Sequence, residues 1–95
     1  MPRRVLLHIQ DAVSRGEYDV TAHAVDEIAE DGLNIFDVEA AVMNGEITKT
    51  ETDDPRGTRY TIVGTAADGQ TLVGLAGRFK ETGIFLIVTA YEVTD

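Results

Sequence analysis

The chain has no cysteine and no tryptophan among its 95 residues, and only two of its eight basic residues are lysine. Without thiols, neither a disulfide framework nor a cysteine zinc site can form. The apolar runs are short, as at residues 84–88, whereas a membrane-spanning helix needs about 20 apolar residues. The N-terminal residues lead into an amphipathic helix and not into the apolar region of a signal peptide. We therefore expect a cytoplasmic protein without disulfides that does not enter a membrane.

The formal net charge of −9 is spread unevenly along the chain. Residues 17–46 contain nine Asp and Glu residues and no Lys or Arg. Residues 55–80 contain four basic residues, and Asp68 is their one acidic residue. Carboxylates clustered on helices most often form a solvated face that keeps a protein soluble. A surface that binds a protein partner, or one that mimics nucleic acid, is the alternative.

Apolar residues at helical spacing predict three short helices. The first covers residues 3–15 and stops at Gly16, where a left-handed cap is favoured. Thr21 is placed to cap a second helix that ends at Gly32, and Asn34 opens a third that ends at Gly45. The predicted apolar stripes are Val5, Leu6, Ile9, Ala12 and Val13 in the first helix, Ala22, Val25, Ile28 and Ala29 in the second, and Ile35, Val38, Ala41 and Val42 in the third.

Beyond residue 45 the sequence changes from helical spacing to alternation. Residues 47–52, 58–65, 71–79 and 84–93 are rich in Thr, Val, Ile, Phe and Tyr, and short turn-forming segments separate them. Connections this short require antiparallel hairpins. The predicted fold is a single α+β domain, residues 1–95, with two to three N-terminal helices packed on one face of a four-stranded antiparallel sheet.

Alternation also assigns the two faces of the predicted sheet. The last strand is apolar on both sides, which places it inside the sheet, and one of its faces carries Thr89 and Tyr91. If that face is the open one, Arg59, Arg78 and Tyr91 converge over a floor of small residues. The residues expected to face the helices are Tyr60, Ile62, Val73, Leu75 and Phe79, packed against Val25, Ile28, Val38 and Val42, and those expected on the open face are Arg59, Thr61, Leu72, Gly74, Ala76 and Arg78.

The three residues that converge on the open face, Arg59, Arg78 and Tyr91, would form a shallow groove and are candidates to bind a phosphate or to catalyse a reaction at it. Arg59 and Arg78 are suited to clamp it, because a guanidinium gives bidentate, permanently charged recognition. Both can equally be surface charges paired with Glu51 or Glu92. Tyr91 can stack on a base or transfer a proton, and a packing role is as well supported.

His23 is the fourth candidate catalytic residue, near the start of the second helix. It can act as a general base near neutral pH, or it can bond Asp26 or Glu27 and lock the two helices together. With Glu27 it has the spacing of two metal ligands, but a zinc site needs at least one more ligand. Asp53 and Asp54 suit a hard cation or, more simply, a turn. No nucleotide fingerprint or phosphate loop is present, so we expect no metal or other cofactor.

One order of short motifs resembles a known family. The order is His23-Ala24, Gly32-Leu33, Asp37-Val38-Glu39, Gly45-Glu46-Ile47, Arg59-Tyr60 to Gly64, Asp68-Gly69-Gln70 and Thr89-Ala90-Tyr91. Over about residues 20–93 it resembles the bacterial domain-of-unknown-function family 4258. Members of that family often sit beside zinc-finger antitoxins and resemble BrnT and other RelE-like toxins, which are metal-independent ribonucleases.

This resemblance implies a toxin-like component of a bacterial toxin–antitoxin pair that cleaves RNA without a metal, with an antitoxin protein and RNA as partners. Family members usually carry Arg four and eight residues after the His, where this chain has Glu27 and Asp31. The BrnT pattern Ser-Ala-Arg-Lys is replaced by Thr-Ala-Tyr-Glu at residues 89–92. Fewer cations weaken phosphate binding. The alternative is a non-catalytic module that binds a protein through its acidic helical face.

Overall fold

The computed structural model of the chain describes residues 2–94. Their α+β architecture confirms the class that the sequence predicts. None of the helices described is long and apolar enough to cross a membrane. The elements are α1 (Pro2–Ser14), β1 (Tyr18–Val20), α2 (Ala22–Glu30), α3 (Ile35–Asn44), β2 (Glu46–Glu51), β3 (Arg59–Thr65), β4 (Leu72–Phe79) and β5 (Phe85–Glu92).

The sheet within residues 2–94 has five strands in the order β1-β5-β4-β3-β2, so the prediction of four strands is wrong. The missed strand, β1, has three residues and pairs in parallel with β5, as in Tyr18↔Phe85 and Val20↔Ile87. Three residues are too few to show alternation, and their partner lies far along the chain. β5 lies between β1 and β4, as its two apolar faces predict.

The three helices contribute to a core on one face of this sheet. Every residue that alternation assigns to the helix-covered face either belongs to this core or packs against it. Because each strand has a period of two, the same alternation leaves the neighbouring residues for the other face. The buried core residues include Ile9, Ala12, Val13, Ala24, Ile28, Val38, Ala41 and Val42 from the helices, and Ile62, Val73, Leu75, Phe85, Ile87 and Ala90 from the strands.

Helix α2 turns a different side to the core from the one that its apolar residues predict. Ile28 is buried as expected, together with Ala24, but Val25 is 52% exposed and Ala22 and Ala29 are also exposed. The predicted stripe and the predicted core contact of Val25 are therefore wrong. Glu27 of this helix and Asp31 at its C-cap accept hydrogen bonds from β5, and apolar periodicity cannot anticipate carboxylates that point toward the sheet.

Two glycines allow α3 to contact the backbone of β3 directly. A Cβ atom at Gly64 would lie 2.7 Å from Oδ1 of Asn44 and 2.9 Å from Cα of Gly45, and one at Gly45 would lie 2.6 Å from the carbonyl oxygen of Val63. The Asn44 amide completes the contact, since it donates to the carbonyl of Thr65 at 3.0 Å and accepts from its N–H at 2.8 Å. Both glycines are required by this close approach.

A bulge in β5 determines on which face of the sheet the side chains of its second half lie. The pairing with β4 passes from Ile87 directly to Thr89, so Val88 is an extra residue. Ile87 faces the helices, and without the bulge Thr89 and Tyr91 would follow it into the core. The bulge turns both residues to the opposite face.

Candidate functional site

The sheet face opposite the helices, called the open face below, brings three of the four predicted catalytic residues to one side of the sheet. The strand register places Arg59, Arg78 and Tyr91 there, the two arginines by strand alternation and Tyr91 through the bulge at Val88. Three rows of residues cross β3, β4 and β5 on this face. They are Arg59, Arg78 and Leu86, then Thr61, Ala76 and Thr89, then Val63, Gly74 and Tyr91.

The first row, called the arginine row below, holds two like charges side by side. Because Tyr60 pairs with Gly77, Arg59 stands opposite Arg78, and like charges in that position destabilise a sheet. The Nε atom of Arg59 is buried and has no hydrogen-bond partner among the described residues. Oε1 of Glu51 lies 3.8 Å from it, which is an ion pair but is beyond hydrogen-bonding distance, so the predicted alternative of Arg59 paired with Glu51 is confirmed. Glu51 beside Arg59, and Asp54, whose pKa the charge of Arg78 helps to lower, already offset part of this like charge. An anion bound at this row would meet the remaining donor of Arg59.

Tyr91 lies against strand β4 at the opposite end of the open face. A Cβ atom at Gly74 would lie 2.6 Å from Cε2 and 2.8 Å from Cζ of the Tyr91 ring, so the ring needs a glycine beneath it. Gly74 and Arg78 are four positions apart on β4, which corresponds to about 13 Å along the strand. A base stacked on this ring would therefore lie some way along the strand from a phosphate bound at the arginine row.

A hydrogen-bonded chain borders the open face along the edge of β5. Oε1 of Glu27 accepts from the Thr89 hydroxyl at 2.5 Å and from the Ala90 N–H at 3.3 Å. Nε2 of His23 lies 3.3 Å from the same oxygen, and its side chain is 72% exposed. Asp31 accepts a further backbone N–H of β5 at 2.7 Å. The two carboxylates occupy the edge of β5 that the short β1 leaves uncovered, and His23 reaches the open face only through Glu27.

The helical acidic residues are largely used by the fold. Five of the nine carboxylates in residues 17–46 accept hydrogen bonds from other parts of the structure, so much of the acidic character of this stretch is structural. The five are Asp19 with Lys80, Glu27 with Thr89 and Ala90, Asp31 with Glu92, Asp37 with Asn34 and Ala67, and Glu39 with Tyr18.

One of these hydrogen bonds changes the acidity of its donor. Burial, followed by the hydrogen bond to Glu39 and the charge of Glu39, raises the pKa of Tyr18 well above its usual value.

The acidic pair considered as a cation site, Asp53 and Asp54, precedes β3. Asp54 accepts from the N–H of Arg56 at 2.9 Å and from its guanidinium at 3.2 and 3.3 Å. These hydrogen bonds, then the charges of Arg56 and Arg78, hold the pKa of Asp54 below its usual value. Asp54 thus serves the turn. Among residues 2–94, no three His, Asp or Glu side chains form a group that could hold a metal ion.

Other motif residues also act in the fold. Thr21 caps α2, because its hydroxyl accepts the N–H of Ala24 at 3.2 Å. Asp68 holds the turn between β3 and β4, where it accepts from the hydroxyl of Thr71 at 2.6 Å and from the N–H groups of Gln70 and Thr71. The bond from the Thr71 hydroxyl, followed by those from the two backbone groups, lowers the pKa of Asp68. Much of the motif order therefore specifies structure.

Together these features define an α+β domain whose open sheet face has a small-residue floor between an arginine row and a tyrosine. The chain belongs to the family described as domain of unknown function DUF4258, whose sequence profile matches residues 20–92. This confirms the family that the motif order predicts. No curated protein and no solved structure matches the chain.

Proposed function

We propose that the protein is the toxin-like component of a bacterial toxin–antitoxin pair, with a RelE/BrnT-like fold, and that its open face cleaves single-stranded RNA without a metal. The observation that best supports this is the arginine row. The chain is acidic, with a net charge of −9 and only six arginines. Even so, Arg59 and Arg78 lie opposite each other on β3 and β4, on the same face of the sheet. A phosphate accepts the donors of two guanidinium groups and offsets their repulsion. Tyr91, on the same face, supplies a stacking surface for a base.

The reaction is an internal attack of the 2′-hydroxyl on the neighbouring phosphate. The 2′-oxygen bonds to phosphorus while the bond to the 5′-oxygen breaks, which gives a 2′,3′-cyclic phosphate and a 5′-hydroxyl. Arg59 and Arg78 stabilise the charge that grows on the phosphoryl oxygens. Proton transfer falls to Tyr91, or to His23 relayed through Glu27 and the Thr89 hydroxyl. The reacting phosphate must therefore lie between this group and the extended side chains of Arg59 and Arg78, so that its 2′-hydroxyl and leaving oxygen are within hydrogen-bonding reach.

The test is cleavage of cellular mRNA by purified, partner-free protein at low salt in the presence of a chelator. We expect slow cleavage that leaves cyclic phosphate ends, and a loss of about tenfold or more in Arg78→Ala. Arg15→Ala is the matched control, since it removes the same charge from the turn after α1, where Nε of Arg15 lies 3.3 Å from Asp11. Intact RNA with the wild-type protein, together with normal growth on its induction, contradicts the proposal.

A second function, protein binding without catalysis through the acidic helical face, is favoured by the carboxylates that lie exposed on α2. Asp26 and Glu30 are exposed, whereas Glu27 and Asp31 are bonded to β5. A partner would therefore meet Asp26 and Glu30 first. The double substitution Asp26→Lys with Glu30→Lys should weaken co-purification with the product of the adjacent reading frame while the thermal midpoint changes little. Undiminished co-purification removes this function.

A further inference from the structure

The solvent side of α3 carries an apolar strip that the fold does not bury. Phe36 is 68% exposed and Met43 is 48% exposed. They are seven residues apart, so they lie two helical turns apart on one side, separated by about 10.5 Å along the axis. That side is opposite to the one that buries Val38 and Val42. We call Phe36, Ala40 and Met43 the α3 ridge.

The ridge continues onto α1. The Gln10 amide donates to the carbonyl of Met43 at 3.2 Å, which joins α1 to the last turn of α3. Leu7, one turn earlier on α1, is 59% exposed and lines a groove that reaches Asn44 and Gly45. Single exposed apolar residues are common, but several of them on two adjoining helices are typical of an interaction surface.

The charges around the ridge indicate what kind of partner fits it. Helix α3 itself carries two carboxylates, Asp37 and Glu39, and no Lys or Arg. A helix with an apolar stripe flanked by Lys or Arg matches this surface in shape and in charge. A second copy of the chain does not, because two acidic ridges would face each other. Arg3 lines the same groove as Leu7, which favours an acidic residue at that end of the bound helix.

We propose that the α3 ridge docks a basic amphipathic helix of a protein partner. The anchors are Phe36 and Met43, set two turns apart to meet apolar residues at matching intervals of the partner helix. The ridge lies on the helical side of the sheet, so a docked partner leaves the arginine row accessible. This inference rests on the second proposed function, protein binding through the acidic helical face, and adds apolar anchors to it. It does not depend on RNA cleavage.

The probe is a labelled helical peptide of about 18 residues with leucines on one side and lysines on its flanks. Binding to the full-length protein is measured by fluorescence anisotropy. We expect Phe36→Ser and Met43→Ser each to weaken binding about tenfold. Leu72→Ser is the matched control, because Leu72 is 46% exposed but lies on the open face. It should bind as the wild type does.

Two further comparisons sharpen the test. A peptide in which every lysine is replaced by glutamate should bind at least about tenfold more weakly than the basic one. The double substitution Arg59→Ala with Arg78→Ala should keep the full affinity, which separates this result from any result on RNA. Failure of the basic peptide to bind, equal binding of the two peptides, or an equal loss in Leu72→Ser overturns the proposal.

Discussion

Glu27 joins α2 to the edge of β5, and its removal should measure how strongly that edge depends on it. Its Oε1 accepts from the Thr89 hydroxyl at 2.5 Å and from the Ala90 N–H at 3.3 Å. Hydrogen bonds to a charged group contribute about 1.5–3 kcal/mol, and the exposed contact with His23 adds about 0.5 kcal/mol or less. Alanine regains about 0.3 kcal/mol through its better helix propensity. Since water can reach this edge, we expect Glu27→Ala to lower the free energy of unfolding by about 2 kcal/mol.

The assay is urea unfolding followed by circular dichroism at neutral pH. Glu30→Ala is the control, because it removes an exposed carboxylate from the same helix and should change the free energy of unfolding by about 0.5 kcal/mol or less. Glu27→Gln keeps an acceptor without the charge, so its loss should be intermediate. If Glu27→Ala and Glu30→Ala unfold at the same urea concentration, Glu27 does not hold the edge of β5.

Two other predictions follow from close packing and from burial. Gly64→Ala places a methyl group against the carbonyl of Ala41 and 2.7 Å from Oδ1 of Asn44, so it should cost about 3 kcal/mol in urea unfolding; a cost below about 1 kcal/mol contradicts this packing. Because the pKa of Tyr18 is raised, the stability that its neutral phenol contributes is present below about pH 10 and is lost as the pH rises further. Glu39→Gln should let Tyr18 ionise at lower pH in an absorbance titration, and an unchanged titration contradicts the contribution assigned to Glu39.

Much of the fold is predictable because its signals are local. Caps at Thr21 and Asn34, the stop at Gly16 and alternation after residue 45 bring the predicted bounds of the helices and longer strands within a residue or two of those observed. β1 is not predictable in the same way, since its pairing with β5 depends on a distant partner and on only three residues. The prediction of which side of α2 faces the core is wrong for a different reason. Hydrogen bonds, and not hydropathy, direct the Glu27 side chain toward the sheet.

The candidate site, like the fold, is predictable only where the signals are local. Strand parity alone places Arg59 and Arg78 together, because alternation fixes the face of each residue. Tyr91 requires the bulge at Val88, which shifts the parity of β5 and leaves no clear signal in an apolar strand. The contact between His23 and Glu27 is one of the alternatives that their spacing allows, but the link through Thr89 to the open face is a tertiary contact.

The central claim is that the arginine row binds a nucleic-acid phosphate, and the salt dependence of RNA binding tests it most directly. A labelled single-stranded RNA with 2′-O-methyl groups binds without being cleaved, so its affinity can be measured by anisotropy from low to physiological salt. Each phosphate contact contributes about 0.7 to the slope of log affinity against log salt. The account predicts that Arg59→Ala and Arg78→Ala each reduce the slope by about that amount, while Arg15→Ala leaves it unchanged. No RNA binding at low salt, or equal slopes in all the variants, would contradict it.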